Sequence, residues 1–360
     1  MKHPIALLAA GAVALCAGLA ACTQGQSAGV DDKAATAEVP CWRHTYAPTR
    51  AMNDDGIQTA SSLGLAPGRY ALPANPAPTQ LVMLFHGHNN DSCDWRRHLQ
   101  QVSSHGALAV AMDYSGQKQT PVENYGWRVR EGAADSIAAA KFFLKQYPSI
   151  KQVIAFGISM GGNASGVAVA LPDAVRADGS PLFDYWVDIE GVNSLIEEYG
   201  VIVAVAPVNA GGAQAKAEIE EENGGTFQDV PDKYVEIDNM ARVNDMAALK
   251  GAVVINAIDD GLVPTNQSPD MAAALNAVGV PTALFTVVLR GQGESGTTGT
   301  AIAMQPVYDQ TGMGTYESPF AGHGWEGSDT QLVIVTGFEQ LYALLDGGTP
   351  SPGETVVPGN

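Results

Sequence analysis

Residues 155–162 read AFGISMGG and set Ser159 between Gly157 and the pair Gly161 and Gly162. Glycine permits close backbone approach and unusual dihedrals, at an entropic cost on folding. Three of them around one serine therefore point to a sharp turn. A serine hydroxyl becomes a nucleophile when a neighbouring base takes its proton, and a third group orients that base. The chain has seven histidines: His3, His44, His86, His88, His98, His105 and His323. Only His323, in AGHGWEG, follows Ser159. Carboxylates that could hold an imidazole stand at the ends of apolar runs, Asp259 and Asp260 in INAIDDGLVP, and Asp188 and Glu190 in DYWVDIEGV. Together these residue types can carry acyl transfer through a covalent intermediate.

Such groups need a scaffold, and the pattern along the chain supplies one. QLVMLF (80–85), ALAVAMDY (107–114), QVIAFGI (152–158), DYWVDIEGV (184–192), AVVINAI (252–258) and ALFTVVLR (283–290) are short apolar runs of buried-strand type. Residues 130–147 place Ala133, Ile137, Ala140 and Leu144 on one helical face, and Pro148 ends the helix. A last helix is expected near 330–345, with Leu332, Val335, Phe338, Leu341 and Leu345 on one side. Buried strands alternating with helices predict an α/β fold, a mostly parallel sheet covered on both faces. No internal repeat is present. Segments 193–247 and 291–322 are long connections of a kind that is uncommon in compact domains and often functional.

Composition narrows the function. With 360 residues, 46% hydrophobic and 16% charged, the chain is globular in type. A net charge of −19 argues against nucleic acid as a partner, since phosphate binding needs a basic face. Glu218, Glu220, Glu221, Glu222, Asp229, Asp232, Glu236 and Asp238 fall in one stretch, read as a solvated face.

A strand, then Gly-x-Ser-x-Gly, then a helix resembles the nucleophile elbow of the α/β-hydrolase fold. The resemblance covers about residues 68–345. It implies that fold, with a cap insertion at about 193–247, and the triad order serine, acid, histidine. Ser159 is then the nucleophile and His323 the base. The run Asp260-Gly-Leu-Val263-Pro264 resembles the superfamily's acid motif and favours Asp260 over Asp259, while Glu190 and Asp188 remain rivals. His86-Gly87 in FHGHNND resembles the opening of the oxyanion loop. It implies the backbone N–H groups of Met160 and His88 as oxyanion donors. A metal pair of His86 and His88 would lack a third ligand, so neither a metal nor an organic cofactor is expected.

G-x-S-x-G-G, HG and GHGW together are similar to secreted esterases of the feruloyl-esterase and polyhydroxyalkanoate-depolymerase type. They are also similar to prolyl-oligopeptidase-type catalytic domains, although no N-terminal β-propeller is evident. The resemblance implies a serine hydrolase acting on small-molecule or oligomeric carboxylic esters. A peptidase acting on small peptides, or a ligand-binding lipoprotein with an idle triad, stays open. In the cap, VIVAVAPV is expected to face an acyl pocket and the acidic stretch to face water, with Trp325 as a candidate pocket wall.

The N-terminus, MKHPIALLAAGAVALCAGLAAC, is one lysine followed by a short run of small and aliphatic residues, which predicts a secretory signal over 1–21. Leu19-Ala20-Ala21-Cys22 resembles the bacterial lipobox and implies lipid on Cys22. The expected location is therefore the cell envelope, with the anchor as the only membrane contact; Thr23 points to the outer membrane in a Gram-negative cell. Residues 22–40 read as a flexible tether, 41–345 as the hydrolase domain and 346–360 as a disordered tail. Export makes a Cys41–Cys93 disulfide the expected use of those two thiols. Closing that loop would stabilise by roughly 4 kcal/mol in the chain-entropy model.

Overall fold

The computed structural model describes residues 57–117, 126–258, 260–290, 306–308, 315–317, 323–324, 326–328 and 331–359. The predicted signal, tether and lipobox, together with Cys22, Cys41, Asp259 and Trp325, lie outside the described residues.

Apolar runs become strands where both faces can be covered. β1 (Ile57–Thr59), β2 (Gly68–Ala71), β3 (Gln80–Phe85) and β4 (Leu108–Met112) form one side of a sheet. β5 (Gln152–Ile158), β6 (Tyr185–Ile189), β7 (Gly251–Ala257), β8 (Thr282–Arg290) and β11 (Gly353–Gly359) form the other. The nine strands run in the order β1-β2-β4-β3-β5-β6-β7-β8-β11. Only the β1–β2 and β2–β4 pairs are antiparallel. From β4 through β3 to β8 and β11 all pairing is parallel. β9 (Pro306–Tyr308) and β10 (Thr315–Glu317), in the second long connection, pair separately as a small antiparallel ladder.

The two-residue period of a strand divides the core. Leu81, Met83 and Phe85 of β3 join one hydrophobic cluster, and Val82 and Leu84 join the other. α2 (Val129–Gln146), α3 (Met160–Ala170) and α7 (Gln267–Ala277) cover the first face. α1 (Arg96–Ser104) and α8 (Leu332–Leu345) cover the second. Between β6 and β7 the chain inserts α4 (Leu195–Val205), α5 (Ala210–Asn223), α6 (Pro231–Glu236) and a 3-10 turn at Val243–Met246. Their boundaries are written locally. Ser194 and Asn209 cap α4 and α5 through side-chain oxygens, and left-handed Gly224 (φ 78°) ends α5. Among the described residues no helix is long and apolar enough to cross a membrane.

The tail departs from expectation. Residues 346–360 read as disordered, yet 353–359 form β11, paired with β8 at the sheet margin. A strand there needs only one partner, and Pro358 costs little because it falls at the register shift between Val357 and Gly359.

Candidate active site

Why the turn needs glycine is now visible. Ser159 lies between β5 and α3 with φ 56° and ψ −127°, a strained conformation for a residue with a side chain. A Cβ on Gly157 would stand 2.2 Å from the carbonyl oxygen of Gly161, and one on Gly161 would stand 2.2 Å from that of Phe85. Neither contact is possible, so the crossing of β5, α3 and β3 requires bare backbone. The Ser159 N–H donates to Ile189 O (3.0 Å), and Ser159 O accepts from Gly162 and Asn163. Met160 begins α3, where the helix offers its N–H no acceptor.

His323 Nδ1 lies 3.0 and 2.9 Å from the two carboxylate oxygens of Asp260. The Asp260 loop is shaped by its own side chain, since Oδ1 accepts the N–H groups of Leu262 (2.8 Å) and Val263 (3.1 Å). The pairing engages Nδ1 and not Nε2. Burial pushes the His323 pKa down, but the charge and hydrogen bond of Asp260, with Glu190 and Glu326 behind them, raise it to about 9. The structure brings Asp260 and His323 together. It leaves Asp259 outside the described residues.

The two rival acids part company. Glu190 lies 3.7 Å from His323 Nδ1 and adopts φ 48°. Its oxygens accept the N–H groups of Gly324 (2.5 Å) and Ala257 (3.2 Å), so it braces the histidine loop against the end of β7. Burial first, and then the charge of Asp260, push its carboxyl well above the usual range. Asp188 turns elsewhere: it accepts from Asn193 Nδ2 at 2.7 Å and packs against Gly162 and Gly191. Burial raises it to about 7 against that hydrogen bond.

The ligand atoms of Glu190, Asp260 and His323 lie within 4.8 Å of one another, the one such set among the described residues able to hold a cation. Both Glu190 oxygens and His323 Nδ1 already serve hydrogen bonds within the protein. His86 and His88 do not converge. The His86 ring stacks on Tyr114 at 3.9 Å, while the His88 ring meets Glu218 of α5 and leans on Trp127 at 5.4 Å.

That His88–Glu218 contact shows the insertion touching the loop after β3. It also corrects the reading of the acidic stretch as a solvated face turned to water. Glu221, Asp229, Asp232 and Glu236 are exposed, but Glu218 and Asp238 are buried. Arg128 and Arg130 of the α2 start hold Glu221, Glu222 and Glu236 at 3.0, 3.5 and 3.3 Å. Periodicity alone could not show those arginines across the fold. Of the apolar run VIVAVAPV, Ile202 is buried, whereas Val201, Val203 and Val208 are exposed.

Sequence reasoning missed two further carboxyls near His323. Glu198 of α4 is buried, and its Oε2 has no hydrogen-bond partner among the described residues. Burial and the charge of Asp260 raise it to about 8. Glu326 follows His323 by three positions and accepts the Gly87 N–H and the Asn90 amide. Only its closeness to His323 in sequence could have marked it. Cys93 is buried and accepts from Arg69 Nε at 3.1 Å.

No family model matches the sequence, and no curated protein matches it. Solved structures do. A puromycin hydrolase matches at TM-score 0.50 with 16% identity, over 82% of this chain but 39% of that longer one. A thermophilic esterase of the Planctomycetes species Thermogutta terrifontis, with propionate bound, matches at 0.51 with 15% identity, over 83% of this chain and 97% of that one. Esterase B of Lactobacillus rhamnosis matches at 0.53 with 14% identity, over 81% and 88%. At such identities the likeness speaks for architecture. With its parallel sheet, its elbow and these neighbours, the chain has the α/β-hydrolase fold.

Proposed function

We propose that the protein is a serine hydrolase that cleaves carboxylic esters. Two observations support this reading: a strained serine at a helix N-terminus, and a histidine whose Nδ1 meets Asp260. Ser159 Oγ attacks the acyl carbon while His323 Nε2 takes its proton. The carbonyl oxygen, now negative, is stabilised by the N–H groups of Met160 and His88. His323 returns the proton to the leaving alkoxide as the C–O bond breaks. Water, deprotonated by the same nitrogen, then attacks the acyl-enzyme and releases the acid. Asp260 orients the imidazole and stabilises its charged form without taking the proton.

A peptidase reading keeps the same machinery and gains support from the puromycin hydrolase among the structural neighbours. Fluorophosphonate labelling of the wild type but not of Ser159→Ala tests the nucleophile, and an unlabelled wild type favours a ligand-binding role. A panel of nitrophenyl esters of increasing chain length, run beside aminoacyl anilides, separates ester from amide preference. Export with lipid on Cys22 belongs to the same proposal: Cys22→Ser should move the protein from membranes to the soluble fraction. Joined Cys41 and Cys93 should appear as one linked peptide pair in a non-reduced digest. Two free thiols would refute that pairing.

A further inference from the structure

We propose that Glu326 is a positioning residue that fixes the oxyanion loop, an inference that rests on the serine-hydrolase reading. Its side chain is buried (1% exposed) and reaches both ends of the turn Gly87–Asn90. One oxygen accepts the Gly87 N–H, and the other accepts Asn90 Nδ2. Between these two points lies His88, whose N–H is the second oxyanion donor in that reading. The turn is closed by Asn90 N donating to Gly87 O (3.3 Å) and carries Asn89 at φ 61°. The carboxylate ties the two ends of this bent loop from outside it.

The space around Gly87 tells the same story. A Cβ added there would come 2.9 Å from Glu326 Oε1 and 3.3 Å from Ser159 Cβ. Gly87 is therefore held between Glu326 and the nucleophile, and only a glycine lets the three approach. The base and the brace also share one short loop. Gln331 Nε2 donates to His323 O (3.1 Å), and Ser328 Oγ accepts the Gln331 N–H (3.0 Å). A shift of this loop would move the imidazole and the oxyanion donor together.

Burial is costly for a carboxyl, and two donors of one loop hold this one. Burial and the charge of Asp94 push Glu326 up to about 7, against the pull of the Gly87 N–H. A group kept at such cost beside the reaction centre fits a geometric role.

The test compares Glu326→Ala, Glu326→Asp and Glu326→Gln in the full chain on a nitrophenyl ester. Losing an oxyanion donor costs about 100- to 1,000-fold in kcat. Glu326→Ala should approach that loss with KM within about threefold, and affinity for a trifluoromethyl ketone, which forms an oxyanion on the enzyme, should fall in parallel. Glu326→Gln keeps an acceptor for Gly87 and should recover kcat to within about tenfold of wild type. Glu326→Asp keeps the charge but is one carbon shorter, and decides the matter if the alanine variant does not fold: at least about a tenfold kcat loss at unchanged KM is expected. A folded Ala or Asp variant with wild-type kcat, or with a raised KM alone, overturns the inference while leaving the hydrolase reading intact. A wild type that neither turns over esters or anilides nor takes the fluorophosphonate label overturns both.

Discussion

Residues 152–170 carry Ser159 and residues 193–247 fasten beside its elbow, and the two hold their shape by different means. Along β5 and α3 almost every position is buried, and the side chains of α3 are mostly small. Geometry there is set by backbone meeting backbone, with Gly157 and Gly161 at contacts where no side chain fits. The insertion between β6 and β7 carries its charges across helix faces and is fastened by directional polar links. Arg130 alone reaches Glu222, Asn223 and the Lys233 carbonyl. Asn239 ties the far end of the insertion to Gly162 O (3.3 Å), beside the elbow. Steric contact offers no alternative arrangement, whereas polar links can be lost one at a time. The elbow should therefore fail abruptly on substitution and the insertion gradually.

The largest effect expected is on chemistry at the elbow. Ser159→Ala removes one oxygen and should lower turnover on the order of a million-fold while leaving the thermal midpoint unchanged; more than a few per cent residual activity in pure protein would sink the assignment. Asp260→Asn should cost roughly ten-thousand-fold by favouring the wrong imidazole tautomer. Glu190→Gln sharpens the comparison of the two carboxyls beside His323. It should cost far less activity but about 1–3 kcal/mol of stability, since an amide cannot accept from both Gly324 and Ala257. The reverse ranking of the two activities would make Glu190 the acid.

A pH profile tests the same site. As the proposed base, His323 must be neutral to act, and its neighbours raise it from 6.5 to about 9. The acid-side limb of kcat/KM should therefore lie above 6.5, with activity rising as pH climbs toward about 9. Removing the Asp260 charge should move that limb down. A wild-type limb at or below 6.5 would contradict the environment drawn here.

Gly161→Ala asks whether the elbow does fail abruptly. With Phe85 O in the way, the expected outcome is loss of soluble folded protein rather than a partly active enzyme, judged by circular dichroism and yield. At the insertion, Arg130→Ala should destabilise by about 1–2 kcal/mol, an allowance for a partly exposed side chain. Its kcat should stay within about threefold of wild type, because the partners of Arg130 are in the insertion and not at the triad. A collapse of activity at full stability would show that the insertion is as exacting as the elbow.

Much of this was legible in the sequence. The strand runs 80–85 and 152–158 and the helix over 130–147 were readable because burial on both faces or on one stripe leaves a local periodic trace. The glycines around Ser159 announced a turn because their requirement is local as well. That Asp260 and His323 meet could be expected because the motif Asp260-Gly-Leu-Val263-Pro264 and a single later histidine left few choices. The chain alone did not show that Glu190 stands 3.7 Å from the His323 imidazole, or that Glu326 grips Gly87 from 239 positions away. It did not show that Arg128 and Arg130 cross to the acidic helices, or that the tail finds the edge of β8. Each of these is a contact between segments far apart in sequence, written in polar side chains with no period. Apolar spacing records which face of an element is buried, but not which neighbour covers it. The parallel sheet alone decides that, by bringing the ends of β3, β5, β6 and β7 to one edge.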